Sequence, residues 1–370
     1  MAVFFYIKAY IRRNITRTGE IIMKRKVCSS AIITIGIICC VISVLSFSLF
    51  GLYRSPFEVD ALQINDTTVY IGGEPIGISA RSEYFIVSEL INVNTQEGSY
   101  SPAMRSGIEK GDIVYSLNGK RVTDIVDFND EIQKSEKAII KVKRGNSFID
   151  CEVTPVFDAA QNAYKVGMLL KNNITGIGTM TFVTKDGYFA ALGHTICDEF
   201  GHCEVYNGGN IYGCEVTGYN KPKLNQPGEL RGSVDFNTVT GAINKNCIAG
   251  IYGKTIGNYY NTTEIQVAGK DEVVAGKAEI LTTIAGNEPK LYKIEIIKAV
   301  NQNSLADKSM VIRVTDKELK ESTGGILQGM SGSPIIQNGK LVGAVTHVFI
   351  SDSTKGYGIY AEWMLETIKR

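Results

Sequence analysis

From Val27 to Leu52 the chain runs for 26 residues without a charge. A helix of that length reaches about 39 Å, enough to span a hydrocarbon core of about 30 Å. The run is too long for the apolar part of a signal peptide. Beyond it, residues 53–72 show no strong periodicity and read as a tether. The pattern then shortens to strand length. Between Gly73 and Pro155 it predicts a short helix over Ser101–Ser106, closed by Gly107, then a turn at Lys110-Gly111-Asp112 and a strand over Ile113–Leu117. A hairpin turn at Asn118-Gly119, an amphipathic helix over Asp124–Ser135 and a strand over Ala138–Arg144 come next. From Phe157 onward the expected strands are Ile177–Val183, Tyr188–Leu192, Ala278–Thr283, Tyr292–Lys298, Met310–Val314, Pro334–Ile336 and Leu341–Ile350. A terminal helix covers Tyr360–Lys369. The expected fold is mostly β, in five segments: 1–26 basic, 27–52 transmembrane helix, 53–72 tether, 73–156 a small α+β domain, and 157–370 a β-rich domain.

Charge gives the membrane segment a direction. The whole chain has a net charge of +1, but residues 1–52 hold seven basic residues and one acid, leaving 32 basic and 37 acidic residues in the rest. No nucleic-acid partner is expected from a mildly acidic body. Lys24-Arg25-Lys26 on the N-terminal flank predicts a cytoplasmic N-terminus, with residues 53–370 across the membrane. Five cysteines lie beyond the membrane run (Cys151, Cys197, Cys203, Cys214 and Cys247), so at least one thiol stays unpaired. The grouping Cys197, His202, Cys203 invites a zinc reading, yet its spacing fits no tight ligand template, so neither metal nor cofactor is expected.

The sharpest chemical signal is Gly329-Met330-Ser331-Gly332-Ser333-Pro334. A serine between glycines exposes its hydroxyl, and the N–H groups of Gly329 and Ser331 are the candidate oxyanion-hole donors. Serine of ordinary acidity needs a base, and only three histidines exist, His194, His202 and His347. His194, after the apolar strand GYFAALG, is the favoured base; His202 lies in a Gly-His-Cys loop, and His347 in a strand that packs. For the third member, Asp198 and Asp235 are candidates beside Asp316, which also suits a helix cap.

The unit 73–156 resembles a PDZ domain of the kind attached to exported bacterial proteases, through the order G-I-x-x-G-D-I-V, N-G-K, a helix, and a V-x-R strand. That resemblance implies an extended peptide bound at a sheet edge, with Pro75, Ile76, Gly77 and Ile78 as the carboxylate-binding loop. The strand pair after Ser331 resembles the hairpin beyond the nucleophile in chymotrypsin-like proteases, which implies a double β-barrel for 157–370. GIGTMTF (176–182), ALGHTICD (191–198), PGEL (227–230), KAEILTTIAG (277–286), TDKELKESTGGILQGMSGSP (315–334) and VGAVTHVF (342–349) together resemble the stage IV sporulation protein B (SpoIVB) serine peptidases. The resemblance implies endopeptidase activity with His194 and Ser331 in the catalytic roles and Asp316, fifteen residues before the serine, as third member. It further implies self-cleavage near the N-terminus and cleavage of a membrane-bound regulator between forespore and mother-cell membranes, leading to late sigma factor processing. A non-catalytic PDZ adaptor is the competing reading, and a fluorophosphonate label separates the two.

Overall fold

The computed structural model describes residues 67–96, 98–257 and 263–369. The basic segment 1–26, the expected membrane helix 27–52 and residues 53–66 of the tether lie outside them. Among the described residues no helix is long and apolar enough to cross a membrane. Strands dominate, as the sequence pattern implies.

The tether ends in a short strand, β1 (Thr68–Ile71), which leads into β2 (Pro75–Leu90). The first half of β2 buries alternate residues, Ile76, Ile78 and Ala80, the period-2 pattern of a strand with one face inward. A kink at Ser82, whose Oγ accepts the Tyr84 N–H at 2.9 Å, leads to the second half. There Phe85 and Val87 enter one hydrophobic core, whereas Ile86 enters another. Its partner β5 (Ile113–Leu117) divides in the same way, Val114 to the first core and Ile113 to the second.

The first of these cores belongs to a small α+β unit. It contains the hairpin β3 (Val93–Thr95) and β4 (Gly98–Tyr100), helix α1 (Pro102–Arg105), β5, β6 (Lys120–Arg121) and helix α2 (Ile125–Lys134). The strands β7 (Ala138–Arg144) and β8 (Ser147–Val153) and the hairpin β9 (Val156–Asp158) and β10 (Ala163–Lys165) complete it. The G-D…R pattern has a physical basis here. Buried Asp112 accepts from Arg144 Nε and Nη2, both at 2.7 Å, and from the Glu109 N–H at 2.9 Å. This fork geometry ties the turn to β7.

The chain then returns along β2. Strand β11 (Met168–Val183) pairs antiparallel with it from Met168 opposite Leu90 to Thr179 opposite Pro75. The small unit is therefore an excursion between two strands of one ladder. With β12 (Tyr188–Ala191), β13 (Tyr206–Asn220), β14 (Glu229–Cys247) and β15 (Gly250–Thr255) these strands close a ring in the order β2-β11-β12-β15-β14-β13 and back to β2. Strand β1 pairs with β11 and with β16 (Glu264–Gln266).

Two expectations change. Pro75, Ile76, Gly77 and Ile78 form no carboxylate-binding loop, because they are part of this first barrel. Ile76, Gly77 and Ile78 lie opposite Gly178, Ile177 and Gly176 on one side and Gly213, Tyr212 and Ile211 on the other. A Cβ at Gly77 would stand 2.2 Å from Val234 Cγ1, so glycine there serves barrel packing. The expected break between 73–156 and 157–370 also disappears, since β2 precedes the small unit yet completes the barrel beyond it.

The second barrel uses one contiguous stretch of chain. Strands β17 (Gly276–Thr282), β18 (Lys290–Ala299), β19 (Met310–Val314), β20 (Pro334–Gln337), β21 (Lys340–Phe349) and β22 (Asp352–Tyr360) close in the order β17-β18-β19-β22-β21-β20. Ile280, Ile294, Ile296, Ile312, Ile335 and Ile359 are fully or almost fully buried. Helix α3 (Lys317–Thr323) comes after β19 and ends at Gly324, with φ +81°; helix α4 (Ala361–Lys369) ends the described chain.

Candidate active site

His194 comes after β12 and two residues with positive φ, Leu192 at 68° and Gly193 at 71°. Such backbone is rare for a branched side chain, and here it turns the chain out of the strand toward the second barrel. Ser331 sits in the tight turn before β20, between Gly329 (φ 96°) and Gly332 (φ 97°). The two turns interlock. The Thr179 N–H donates to the Ser331 carbonyl at 3.0 Å, and the Thr179 and Thr181 hydroxyls donate to the Gly329 and Gly332 carbonyls, each at 2.8 Å. A Cβ on Gly332 would lie 2.0 Å from the Thr179 carbonyl oxygen, which fixes glycine at that contact.

His194, Ser331, Gly329, Thr346 and His347 line one cleft of about 600 Å³. Among the described residues neither the Gly329 N–H nor the Ser331 N–H has an acceptor. That is the pair of donors an oxyanion requires. His194 Nδ1 lies 2.9 Å from the Thr195 carbonyl. A carbonyl only accepts, so Nδ1 carries the proton and Nε2 keeps its lone pair. Burial lowers the His194 pKa from its ordinary value, and the Thr195 carbonyl and the charge of Asp307 act in the opposite direction. The Ser331 hydroxyl donates to the Thr346 carbonyl at 2.8 Å.

The candidates for the third position are placed elsewhere. Asp316 caps α3: its Oδ1 accepts the Leu319 N–H at 3.1 Å and its Oδ2 the Lys293 N–H at 3.2 Å. Burial works against its ionisation, yet the backbone N–H groups of Leu319, Lys293 and Glu318 hold its pKa below the ordinary carboxylate value. The reason for these bonds is local: an aspartate before Lys-Glu-Leu finds free N–H groups in the first helical turn. Asp198 accepts the Phe200 and His202 N–H groups, each at 2.9 Å, and lies 3.0 Å from His202 Nδ1. Asp235 accepts from the Asn237 N–H and the Thr238 hydroxyl at an exposed irregularity within β14. Cys197 and Cys203 are joined in a disulfide, which occupies both thiols that the zinc reading needed.

The residues that sequence reasoning missed lie on and beside β21. The His347 ring lies 4.7 Å from that of His194 between centroids, at an interplanar angle of 38°. Asp307 Oδ2 is 3.9 Å from His347 Nδ1. The available signal was the scarcity of histidine: with three in the chain, a second one on the strand after the nucleophile is a candidate.

The sequence pattern of the SpoIVB peptidase S55 family matches residues 162–365, more than half of the chain, and a PDZ domain pattern matches 96–144. Among solved structures, the chain is similar to the PDZ domain of the SdrC-like protein from Listeria monocytogenes, at 16% identity and a TM-score of 0.20, over 24% of this chain and 87% of that one. It is also similar to the active form of the Rv3671c protease from M. tuberculosis, at 14% identity and a TM-score of 0.30, over 53% of this chain and 74% of that one. For the HtrA-type protease AlgW with decapeptide the identity is 14% and the TM-score 0.32, over 55% of this chain and 53% of that one.

Proposed function

The chain belongs to the SpoIVB peptidase S55 family and is a serine peptidase; we propose that Ser331 is its nucleophile and His194 its general base, with the N–H groups of Gly329 and Ser331 as the oxyanion hole. The supporting observation is that these groups line one cleft, with the two N–H donors unpaired and His194 Nε2 free to accept. In the reaction, the Ser331 hydroxyl leaves the Thr346 carbonyl and turns to His194. Nε2 takes its proton as Oγ bonds the carbonyl carbon of the substrate, and the carbonyl electron pair moves onto the oxygen facing the two N–H groups. Collapse then breaks the C–N bond, and His194 returns the proton to the leaving amine.

The physiological role is drawn from family membership and the sequence pattern. A membrane-anchored endopeptidase would cut its own tether and a membrane-bound regulator during endospore formation, with the catalytic part between the forespore and mother-cell membranes. Residues 96–144, matched as a PDZ domain, would hold extended peptide for it. A fluorophosphonate probe tests the chemistry: it should label the wild-type chain and spare Ser331→Ala. Wild-type protein that resists the probe and leaves peptides intact returns the chain to the adaptor reading. Mass spectrometry of the N-terminus after incubation locates self-cleavage; an intact tether retires it.

A further inference from the structure

The cleft holds more than a nucleophile and a base. Among the described residues that line it, none is Asp, Glu, Lys or Arg. Ile177 and Ile196 from the first barrel and Ile326, Leu327 and Val348 from the second make its walls apolar. A charged side chain entering it would lose water and gain no opposite charge, which is costly. One wall is also a free strand edge. Strand β20 pairs with β21 only as far as Ala344, opposite Pro334, and the pairing of β21 with β22 is irregular between Val345 and Val348. Residues 346–348, beside Ser331, are therefore open on the side that β20 has left, and an extended peptide can add there as a strand.

One side chain sets the depth of the space beside that edge. Gly356 of β22 lies opposite Val348 on one side and Ile312 on the other. A Cβ there would stand 2.8 Å from Ile326 Cδ1, so Ile326 occupies the room that the glycine leaves. Its backbone is pinned to β22: the Ile326 N–H donates to the Ser353 carbonyl at 2.8 Å, and the Ser353 hydroxyl donates to the Gly324 carbonyl at 2.8 Å.

We propose that the cleft selects peptides with a small aliphatic residue, alanine or valine, on the acyl side of the cut bond, and that Ile326 determines this specificity. The assignment rests on Ser331 and His194 acting as nucleophile and base. With the scissile carbonyl oxygen held by the N–H groups of Gly329 and Ser331, the acyl half of the substrate runs along the open edge of β21. The Thr346 carbonyl, released when the Ser331 hydroxyl turns to His194, accepts the N–H of the residue before the cut. The side chain of that residue enters between residues 326–328 and β21. The pocket there is shallow: a methyl or isopropyl group fits above Ile326, a benzyl group collides with it, and an ammonium or carboxylate finds no partner.

The test digests unfolded casein with the full-length protein and reads the cut sites by mass spectrometry, with fluorophosphonate labelling as a count of active sites. Wild type should cut after alanine and valine at least about tenfold more often than after phenylalanine, lysine or aspartate. Ile326→Ala should raise the ratio of phenylalanine to valine cuts on the order of tenfold, and Ile326→Val, which removes one methylene, should raise it by less. A ratio within one sample does not depend on how much of the variant has folded, so poor folding cannot mimic the shift. Wild-type preference for phenylalanine, lysine or aspartate overturns the proposal, and so does a ratio unchanged in both variants. Labelled protein that leaves casein intact also overturns it, since the cleft is then closed to extended chains. Protein that neither labels nor cuts, or Ser331→Ala that cuts like wild type, instead removes the nucleophile and base on which this assignment rests.

Discussion

The two barrels reach the same ring of six strands by opposite use of the chain. The second is contiguous, running from Gly276 to Tyr360. The first takes β2 from before the α+β unit and the other five strands from after it, so that Gly77 pairs with Ile177. The barrel with the interrupted chain carries His194, and the contiguous barrel carries Ser331, His347 and Asp307. The two sides of the cleft thus come from both barrels, joined by the hydrogen bonds that Thr179 and Thr181 make to the turn bearing Ser331.

The largest expected effect tests that division directly. Ser331→Ala in the second barrel and His194→Ala in the first should each lower kcat on the order of 10⁴-fold or more, with an unchanged circular dichroism spectrum. The double variant should be no worse than either single one, since nucleophile and base act as a unit. An active His194→Ala would mean that the contiguous barrel works alone.

Next in size is a charge beside the first barrel's opening strand. Glu74 Oε1 is buried without a partner, and burial raises its pKa from 4.5 to about 7 despite an opposing backbone hydrogen bond. A carboxyl whose folded-state pKa is raised binds more protons folded than unfolded. Its contribution is therefore fully present below pH 4.5 and is lost as pH rises toward 7. Glu74→Gln should flatten that slope, so that wild type loses roughly 2–3 kcal/mol relative to the variant between those limits. Denaturant titrations at pH 4.5 and 8 measure it, and parallel curves would show that Glu74 is solvated.

Gly77→Ala should cost about 2 kcal/mol through its clash with Val234, seen as a lower Tm. Weaker peptide capture at unchanged Tm would restore the loop reading. The smallest effect on stability concerns the second barrel: Asp316→Ala should cost about 1 kcal/mol, the typical worth of an N-cap, read as a lower Tm.

The same contrast explains how much of the fold is legible in the sequence. Met310–Val314 is expected with its observed bounds, and the expected strands near β17, β18, β20 and β21 lie within a few residues of those found. In β17, β18 and β19 buried positions alternate with more exposed ones, and β21 is a continuous apolar run; both are signals that pattern reading detects. Strand β22 escapes it because its inward positions include Gly356 and Gly358, which carry no side chain to register. Strands β13 and β14 escape for a related reason: glycines and polar residues interrupt their alternation. Pro75–Ile78 is misleading because β2 serves two cores, and a peptide-binding strand and a barrel strand share the same alternation. At the site, Ser331 and His194 announce themselves by flanking glycines and strand context. The neighbours of His194 do not: Ser304-Leu305-Ala306-Asp307-Lys308 reads as an ordinary polar loop until Asp307 is found 3.9 Å from His347 of β21.

The interrupted ladder also dictates an order of assembly. Bringing β2 and β11 together across about 100 residues of unstructured chain costs on the order of 4 kcal/mol in closure entropy alone. A folded excursion brings its own ends together, because Leu90 and Met168 are already paired where it begins and finishes. During synthesis the small unit emerges before most of the first barrel, and can nucleate the ladder that later strands extend. Its folding therefore sets the pace for the barrel bearing His194, whereas the barrel bearing Ser331 collapses from local contacts. A lesion in the core around Phe128 or Val142 would be felt as a refolding defect in the catalytic barrel, far along the chain from the substitution.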